Sequence, residues 1–136
     1  MKKSLLLMPA LLLALALAAA AAEPSPAQQA ALAWLGLLDQ GHYGRAWDQA
    51  APLLQKNITR QKWAALLQGL AAKTGPAGQR KLLQSQALSD PPGAPAGKYL
   101  VLVYAPGFAK SPATLEQLTL REDPQGQWQV AGYYLK

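Results

Sequence analysis

The chain has 136 residues, of which 51% are hydrophobic and 15% charged, and a formal net charge of +6. This length suits one domain that buries its own core. The sequence contains no Cys and one His, which excludes disulfides, a cysteine nucleophile and a structural zinc site. It also lacks the motifs of serine hydrolases, P-loop proteins and dinucleotide-binding proteins.

The N-terminus has the features of a secretory signal peptide. Lys2 and Lys3 precede a Leu- and Ala-rich apolar stretch, and Ala20 and Ala22 supply the small residues of an A-x-A cleavage site. We therefore expect cleavage after Ala22 and export to the periplasm or the medium. The alternative is a retained anchor, because the apolar run of 18 residues over 5–22 reaches the lower limit for spanning a bilayer.

Residues 23–136 are expected to form a single domain without an integral membrane segment. Loss of Lys2 and Lys3 from the 13 basic residues leaves 11 against 7 acidic ones, a net charge of +4. These basic residues are scattered, whereas a nucleic-acid-binding face needs a stripe of them. We expect no nucleic-acid partner, although a mild attraction to anionic envelope polymers stays open.

Three helical patterns come first in the expected mature chain. They cover residues 28–40 with a stop at Gly41, a second stretch from about His42 to Leu54 that Pro52 breaks or kinks, and a third between an N-cap at Thr59 and Gly75. Each pattern carries one Trp in its apolar stripe, at positions 34, 47 and 63. Aromatic side chains at helical spacing favour core positions.

Four strand patterns follow from residue 80 onward. They cover residues 80–89, 98–104, 114–121 and 127–135. The stretch 98–104 is apolar on both faces, which predicts a central strand. Residues 123–126 have the chemistry of a type I turn, so the last two strands should form a hairpin. The predicted fold is α+β, with three N-terminal helices packed on a curved four-stranded antiparallel sheet.

Glu116 is the most informative acidic residue. By alternation it shares a strand face with Leu118 and Leu120, so it lies in the core and needs a partner if that face is buried. The alternative places Glu116 in solvent at the open start of its strand. His42 is the single His, at a helix junction without an identified nucleophile, and it does not form a catalytic set.

The last strand brings several aromatic residues together. Strict alternation puts Trp128, Val130 and Tyr134 on one face, which we expect to be the core face, and Tyr133 on the outer face. Tyr134 would then lie at the rim of a pocket. The candidate ligand-binding residues are Tyr104, Phe108, Glu116 and Tyr134. No catalytic residues, metal ligands or cofactor are predicted.

Several stretches together resemble a family of short exported bacterial domains known as domain of unknown function 4019. They include "ALAWLGLLDQGHYGRAWDQAAPLL", "TRQKWAALLQGL", "PGAPAGKYLVLVY", "FAKSPATLEQLTL" and "GQWQVAGYYLK". The resemblance runs from about Ala30 to Lys136, nearly the whole expected mature chain, and implies neither an activity nor catalytic residues. The layout is similar to the cone-like class of nuclear transport factor 2 and ketosteroid isomerase, in which helices and a curved sheet enclose a pocket.

Two hypotheses about function follow from the sequence. The first is a non-enzymatic binding or accessory domain that uses the cavity or a sheet face for a small apolar ligand or an envelope protein partner. The second is an isomerase or hydratase in which Glu116 is the general base and the hydroxyl of Tyr104 or Tyr134 stabilises an oxyanion. The sequence does not decide between a monomer and a dimer.

Overall fold

The structure, a computed structural model, describes residues 23–136, so the predicted signal peptide and its cleavage site lie outside the described residues. The helices are α1 (Pro26–Asp39), α2 (Tyr43–Asp48), α3 (Pro52–Asn57) and α4 (Arg60–Thr74). The strands are β1 (Lys81–Ser89), β2 (Lys98–Ala105), β3 (Glu116–Glu122) and β4 (Trp128–Leu135). No helix within these residues has the length and hydrophobicity to cross a bilayer.

The predicted α+β class and the four strands are confirmed. The strands form one open antiparallel sheet in the order β1-β2-β3-β4, and each starts and ends within two residues of the prediction. β2 is central, as its two apolar faces predicted. The turn between β3 and β4 is closed by a bond of 2.9 Å from the Gly126 amide to the Asp123 carbonyl.

The predicted number of helices was wrong, because the second helical pattern forms two helices. Pro52 has no amide hydrogen and clashes with the carbonyl four residues before it, so a helix cannot run through it. The carbonyl four residues back belongs to Asp48, where α2 ends. Pro52 then occupies the first position of α3, where its missing N–H has no cost.

Local signals define the ends of the two long helices. Ser25 and Gln28 form a capping box at the start of α1, and the Thr59 hydroxyl accepts from the Lys62 amide at the start of α4. Gly41 follows α1 with φ of 77°, in the left-handed region that a Schellman turn requires. The stop at Gly41 and the cap at Thr59 were predicted, whereas α1 begins two residues before its predicted start.

The three helix Trp residues hold the helical layer together. Trp34 and Trp63 are buried, and Trp47 packs against the core from a partly buried position. Each indole N–H donates to a backbone carbonyl in another part of the layer: Trp34 to Ala46 at 2.8 Å, Trp47 to Ile58 at 2.9 Å and Trp63 to Tyr43 at 2.9 Å. The predicted core role of these residues is confirmed.

A β-bulge in β4 overturns the predicted direction of its last residues. Leu120 of β3 pairs with Val130, but Thr119 pairs with Gly132, so Ala131 is an extra residue in β4. Val130 and Trp128 face the core as expected. Beyond the bulge the alternation is reversed, so Tyr133 packs against the core and Tyr134 is 51% exposed on the outer face.

The helices cover the sheet unevenly. α1 packs on β3 and β4, and α3 packs on β4. In β1 the residues from Lys81 to Ala87 are exposed, including Leu82 and Leu83 at 38% and 50%. The core therefore lies under β2, β3 and β4, and β1 extends beyond the helical layer.

Candidate functional site

Glu116 lies inside the protein. It is the first residue of β3 and only 1% exposed, and it shares the core face with Leu118 and Leu120, which are fully buried. The alternative of a solvated Glu116 is therefore excluded. A carboxylate in this position costs free energy unless other groups replace the hydrogen bonds of water.

Arg80 supplies the cation that Glu116 requires. It lies in the segment before β1, and its Nε donates to Glu116 Oε1 at 2.6 Å, with a longer bond of 3.3 Å from Nη2 to Oε2. The outer edge of the same guanidinium donates to both carboxylate oxygens of Asp39, the last residue of α1, at 2.6 and 2.8 Å. One Arg side chain thus joins the end of α1 to the start of β3.

This arrangement fixes the charge of Arg80. Burial alone would lower the pKa of the guanidinium, but the hydrogen bonds and charges of Asp39 and Glu116 outweigh it, and the pKa is raised above its usual value. Arg80 and the two carboxylates together carry a net charge of −1. The side chain of Asp39 is 39% exposed against 10% for Arg80, so Asp39 is the part of the cluster that solvent reaches.

Tyr133 completes the cluster from β4. Its hydroxyl donates to Glu116 Oε2 at 2.6 Å. Its ring centroid lies 5.5 Å from that of Trp34 and 6.4 Å from that of Trp63, both in edge-to-face geometry. Burial and the nearby Glu116 charge raise the pKa of Tyr133 far above that of an exposed tyrosine.

A half-open cavity of about 330 Å³ lies beside this cluster, at the end of the sheet where α1 and α4 terminate. Its apolar wall comprises Leu38, Leu67, Leu70, Phe108 and Leu135. Its polar lining comprises the cluster of Asp39, Arg80, Glu116 and Tyr133, together with Lys110, whose Nζ donates to the Ala72 carbonyl at 3.3 Å. The cavity is therefore amphipathic, with a preformed ionic network at one end.

The structure brings together only part of the predicted ligand-binding set. Phe108 and Glu116 line the cavity. Tyr104 pairs with Glu116 across the sheet but is buried outside the cavity lining, and burial raises its pKa. Tyr134 lies on the opposite face beside Gln117, because of the bulge at Ala131, so its predicted position at the pocket rim was wrong.

Three residues of the cluster were missed by sequence reasoning. Asp39 and Arg80 are 41 positions apart in the chain, and Arg80 and Glu116 are 36 apart, so no local pattern connects them. The one available signal was the expectation that a buried Glu116 needs a partner. Tyr133 was assigned to the outer face and could have been found only by recognising the bulge.

A second depression of about 510 Å³ lies near the β3–β4 turn. Its lining includes Arg121, whose Nη2 donates to the Ala96 carbonyl at 2.8 Å and whose guanidinium lies 5.7 Å from the centre of the Tyr99 ring. The other lining residues come from the β3–β4 turn, among them Pro124 and Gln125, from the start of α3 and from the neighbouring ends of β3 and β4. This depression is larger than the cavity at Arg80, but it lacks a buried polar network.

The described residues offer little to hold a metal ion. Between positions 23 and 136, no three His, Asp or Glu side chains are grouped as metal ligands would be. His42 is exposed at the start of α2, and its side chain makes no capping hydrogen bond. The ionic cluster at Arg80 is instead held by its own cation.

The fold and the site define a small α+β domain with a half-open amphipathic cavity beside a buried ion cluster. Residues 30–133 match the family described as "Protein of unknown function (DUF4019)", and the chain belongs to this family. No match was found among curated proteins or among solved structures.

Proposed function

We propose that the protein is a non-enzymatic binding domain whose cavity at Arg80 takes a small amphipathic molecule. The observation that supports this most is the cavity itself, about 330 Å³ in volume, with an apolar wall opposite a hydrogen-bonded ionic end. Small-molecule sites are commonly of this size or larger, mostly apolar, with a few fixed polar groups. The sequence suggested a purely apolar ligand, and the ionic end adds the requirement for a polar head group.

Each part of such a ligand has a matching part of the cavity. Leu67 and Leu70 of α4 and Phe108 of the β2–β3 connection offer apolar contacts to a hydrocarbon or aromatic body. The partly exposed carboxylate of Asp39 can bind the head group. Because Arg80 already orders Asp39, the polar end loses little side-chain entropy when a ligand binds.

The isomerase alternative has weaker support. Glu116 and a phenol, that of Tyr133, do line one cavity, as that mechanism demands. However, Tyr133 gives its only hydroxyl proton to Glu116, and Arg80 binds both oxygens of the same carboxylate. A base held in this way is poorly placed to take a proton, and the phenol is not free to stabilise an oxyanion.

A fluorescent dye tests the binding proposal. The purified protein would be titrated with Nile red, an uncharged dye, and native mass spectrometry of the untreated protein would report any retained ligand. We expect saturable binding with one site per chain. In Leu70→Arg, the new side chain would occupy the cavity and abolish that binding.

Leu66→Arg is the matched control. Leu66 is on the same helix, is 50% exposed and does not line the cavity, so this variant should bind the dye as the wild type does. Equal binding by both variants, or no saturable binding by the wild type, would reject the cavity as the site. Retention of an envelope protein instead of a small molecule would favour the partner hypothesis.

We also propose that the mature protein is exported and that its layout is the cone-like one of nuclear transport factor 2. The apolar N-terminal stretch with its A-x-A site supports export. Helices on one sheet face beside an end cavity support the layout. The intact mass of chain recovered from the cell envelope tests cleavage after Ala22, and an experimental structure of the domain tests the curvature of the sheet.

A further inference from the structure

The outer edge of β1 is open to a partner. β1 pairs with β2 on one side, and among residues 23–136 no strand pairs with its other side. The strand is nine residues long, and it is exposed on both faces over most of its length. Unpaired edges of this kind are templates for pairing with another strand.

The sequence of β1 is nearly the same in both directions. It reads "KLLQSQALS", and about the central Ser85 the flanking residues match as Gln84 with Gln86 and Leu83 with Ala87, whereas the bulge places Leu82 and Leu88 on opposite faces. An antiparallel pair of identical strands with a two-fold axis at Ser85 would place those residues opposite each other. Like would then face like: amide beside amide and apolar beside apolar.

We propose that β1 pairs with β1 of a second copy of this chain, in antiparallel register about Ser85, to form a continuous eight-stranded sheet. The bulge in β1 lies between Leu82 and Gln84 and leaves the pairing with β2 regular from Gln84 to Ser89. Bulges and charges can protect an edge from association, but this bulge precedes Gln84, and the residues from Gln84 to Ser89 are regular and carry no charge.

The charges at the ends of β1 lie away from the proposed axis. Lys81 is the one charged residue of β1 and lies beyond the bulge, and Asp90 directly follows the strand. The Asp90 carboxylate accepts from the Gly97 amide at 2.7 Å within the β1–β2 connection, so neither charge opposes its own copy when the strands pair about Ser85. An in-register parallel pair would instead bring the two Lys81 ammonium groups together. Arg80 is engaged by Asp39 and Glu116 and does not add to the charge at this edge.

A cysteine trap tests the register in the full chain, purified as the expressing cell processes it. The sequence has no Cys, so Ser85→Cys introduces the only thiol. Opposed residues of an antiparallel pair have Cα atoms about 4.5 to 5.5 Å apart, within the range of a disulfide. We expect Ser85→Cys to form a disulfide-linked dimer under mild oxidation.

Ala87→Cys is the matched control. It is equally exposed, but its two copies would be offset by four residues, about 13 Å along the strand, which is too far for a disulfide. Random collision would link the two variants equally. Equal yields of linked dimer would therefore overturn the proposed register.

Light scattering over a concentration series measures the association itself. We expect the wild type to show a monomer–dimer equilibrium, and Ser85→Lys, which opposes two ammonium groups at the axis, to weaken the dimer at least about tenfold. Gln125→Lys adds the same charge in the exposed β3–β4 turn and should leave the dimer unchanged. A wild type that stays monomeric at every concentration, or a dimer that Ser85→Lys does not weaken, would overturn the proposal.

Discussion

One hydrogen-bonded cluster contains the most consequential contacts between single residues in this protein. Its members are Asp39, Arg80, Glu116 and Tyr133. Glu116 is 1% exposed, and its carboxylate is stabilised by a guanidinium and a phenol instead of water. Such a pair adds little net stability compared with apolar residues of the same volume, but the loss of one partner leaves a buried charge uncompensated. The cluster also closes the polar end of the cavity, so the stability of the domain and the shape of the proposed site depend on the same residues.

Removal of the Arg80 guanidinium should therefore lower the stability of the domain. Arg80→Gln deprives both Glu116 and Asp39 of their partner, and we expect the free energy of unfolding to fall by about 3 to 5 kcal/mol. Urea denaturation monitored by tryptophan fluorescence measures this. The triple variant Arg80→Met/Glu116→Leu/Tyr133→Phe removes both buried charges and the hydroxyl that donates to Glu116, and it should recover most of the lost free energy of unfolding.

Arg60→Gln is the control for Arg80→Gln. Arg60 also forms a two-pronged ion pair, with Asp48 at 2.9 and 3.0 Å, but both side chains are about half exposed. Because solvent screens exposed pairs, we expect almost no change in the free energy of unfolding. Equal losses in the two variants would contradict the assignment of the Arg80 effect to burial.

Because of Tyr133, the free energy of unfolding should depend on pH in the alkaline range. In the unfolded chain its phenol titrates near 10, whereas in the folded protein burial and Glu116 raise the pKa well above that value. Above pH 10 the folded state thus binds more protons than the unfolded state, and stability falls as the pH rises. The stabilisation by the protonated Tyr133 phenol is fully present below pH 10.

In Tyr133→Phe, the free energy of unfolding should therefore fall less steeply above pH 10 than in the wild type. We expect the variant to lose about 1.5 to 3 kcal/mol at neutral pH, the usual value of a hydrogen bond to a charged group. Above pH 10 the difference in the free energy of unfolding between the variant and the wild type should become smaller. Denaturation midpoints from pH 7 to 11 measure both effects, and a constant difference over this range would contradict the linkage. Tyr104 also has a raised pKa, so some alkaline sensitivity should persist in the variant.

At the scale of elements, Gly75 shapes the C-terminus of α4 next to the cavity. Its φ of 68° and ψ of −176° are in a region that only glycine adopts readily, and a Cβ there would come within 3.1 Å of Lys110. Gly75→Ala should lower the free energy of unfolding by about 1 to 3 kcal/mol. Thermal denaturation followed by circular dichroism measures the change.

Gly69→Ala tests the same replacement in the interior of α4. A Cβ at Gly69 meets nothing within 4 Å, and alanine is the better helix former by about 1 kcal/mol. We expect this variant to be more stable than the wild type by up to about that amount. The two variants should thus shift the melting temperature in opposite directions, and a shift of the same sign would contradict the role assigned to Gly75.

Elements with local signals could be predicted from the sequence, and those set by pairing across the sheet could not. Three signals act within a few positions of the chain: the cap at Thr59, the stop at Gly41 and the turn at Asp123. They predicted the end of α1, the bounds of α4 and the hairpin, but not the start of α1. Pro52 was recognised as a break, but the short α3 beyond it was not. The bulge at Ala131 depends on the register of β3 against β4, and strict alternation placed Tyr133 and Tyr134 on the wrong faces.

For the whole molecule, the sequence predicted the fold class but only half of the site. Alternation with Leu118 and Leu120 made a buried Glu116 one of two alternatives, the other being a solvated residue at the start of its strand, and the structure shows the buried one. The cluster around it joins the end of α1, the segment before β1 and the strand β4, and these meet only when the sheet and helices have packed. No property of Arg80 in isolation distinguishes it from the other basic residues of the chain.

The same packing leaves the molecule asymmetric. The helices that contact the sheet do so mainly on β3 and β4, whereas β1 is exposed on both faces. Amides under packed helices open only with most of the protein, and amides of uncovered elements open locally. We therefore expect peptides from β1 to exchange hydrogen for deuterium much earlier than peptides from β3, when the full chain is studied at low micromolar concentration.

The concentration dependence of this exchange separates the exposed strand from the proposed dimer. Pairing of β1 with a second copy protects its outer amides, so a higher protein concentration should slow exchange in residues 81–89 while leaving β3 and β4 unchanged. The Ser85→Lys variant should exchange rapidly in β1 at every concentration, since its edges repel each other. Slow exchange of β1 in dilute wild-type protein would contradict the exposed position of this strand. Rapid exchange that no concentration slows would leave the strand exposed and refute its pairing with a second copy.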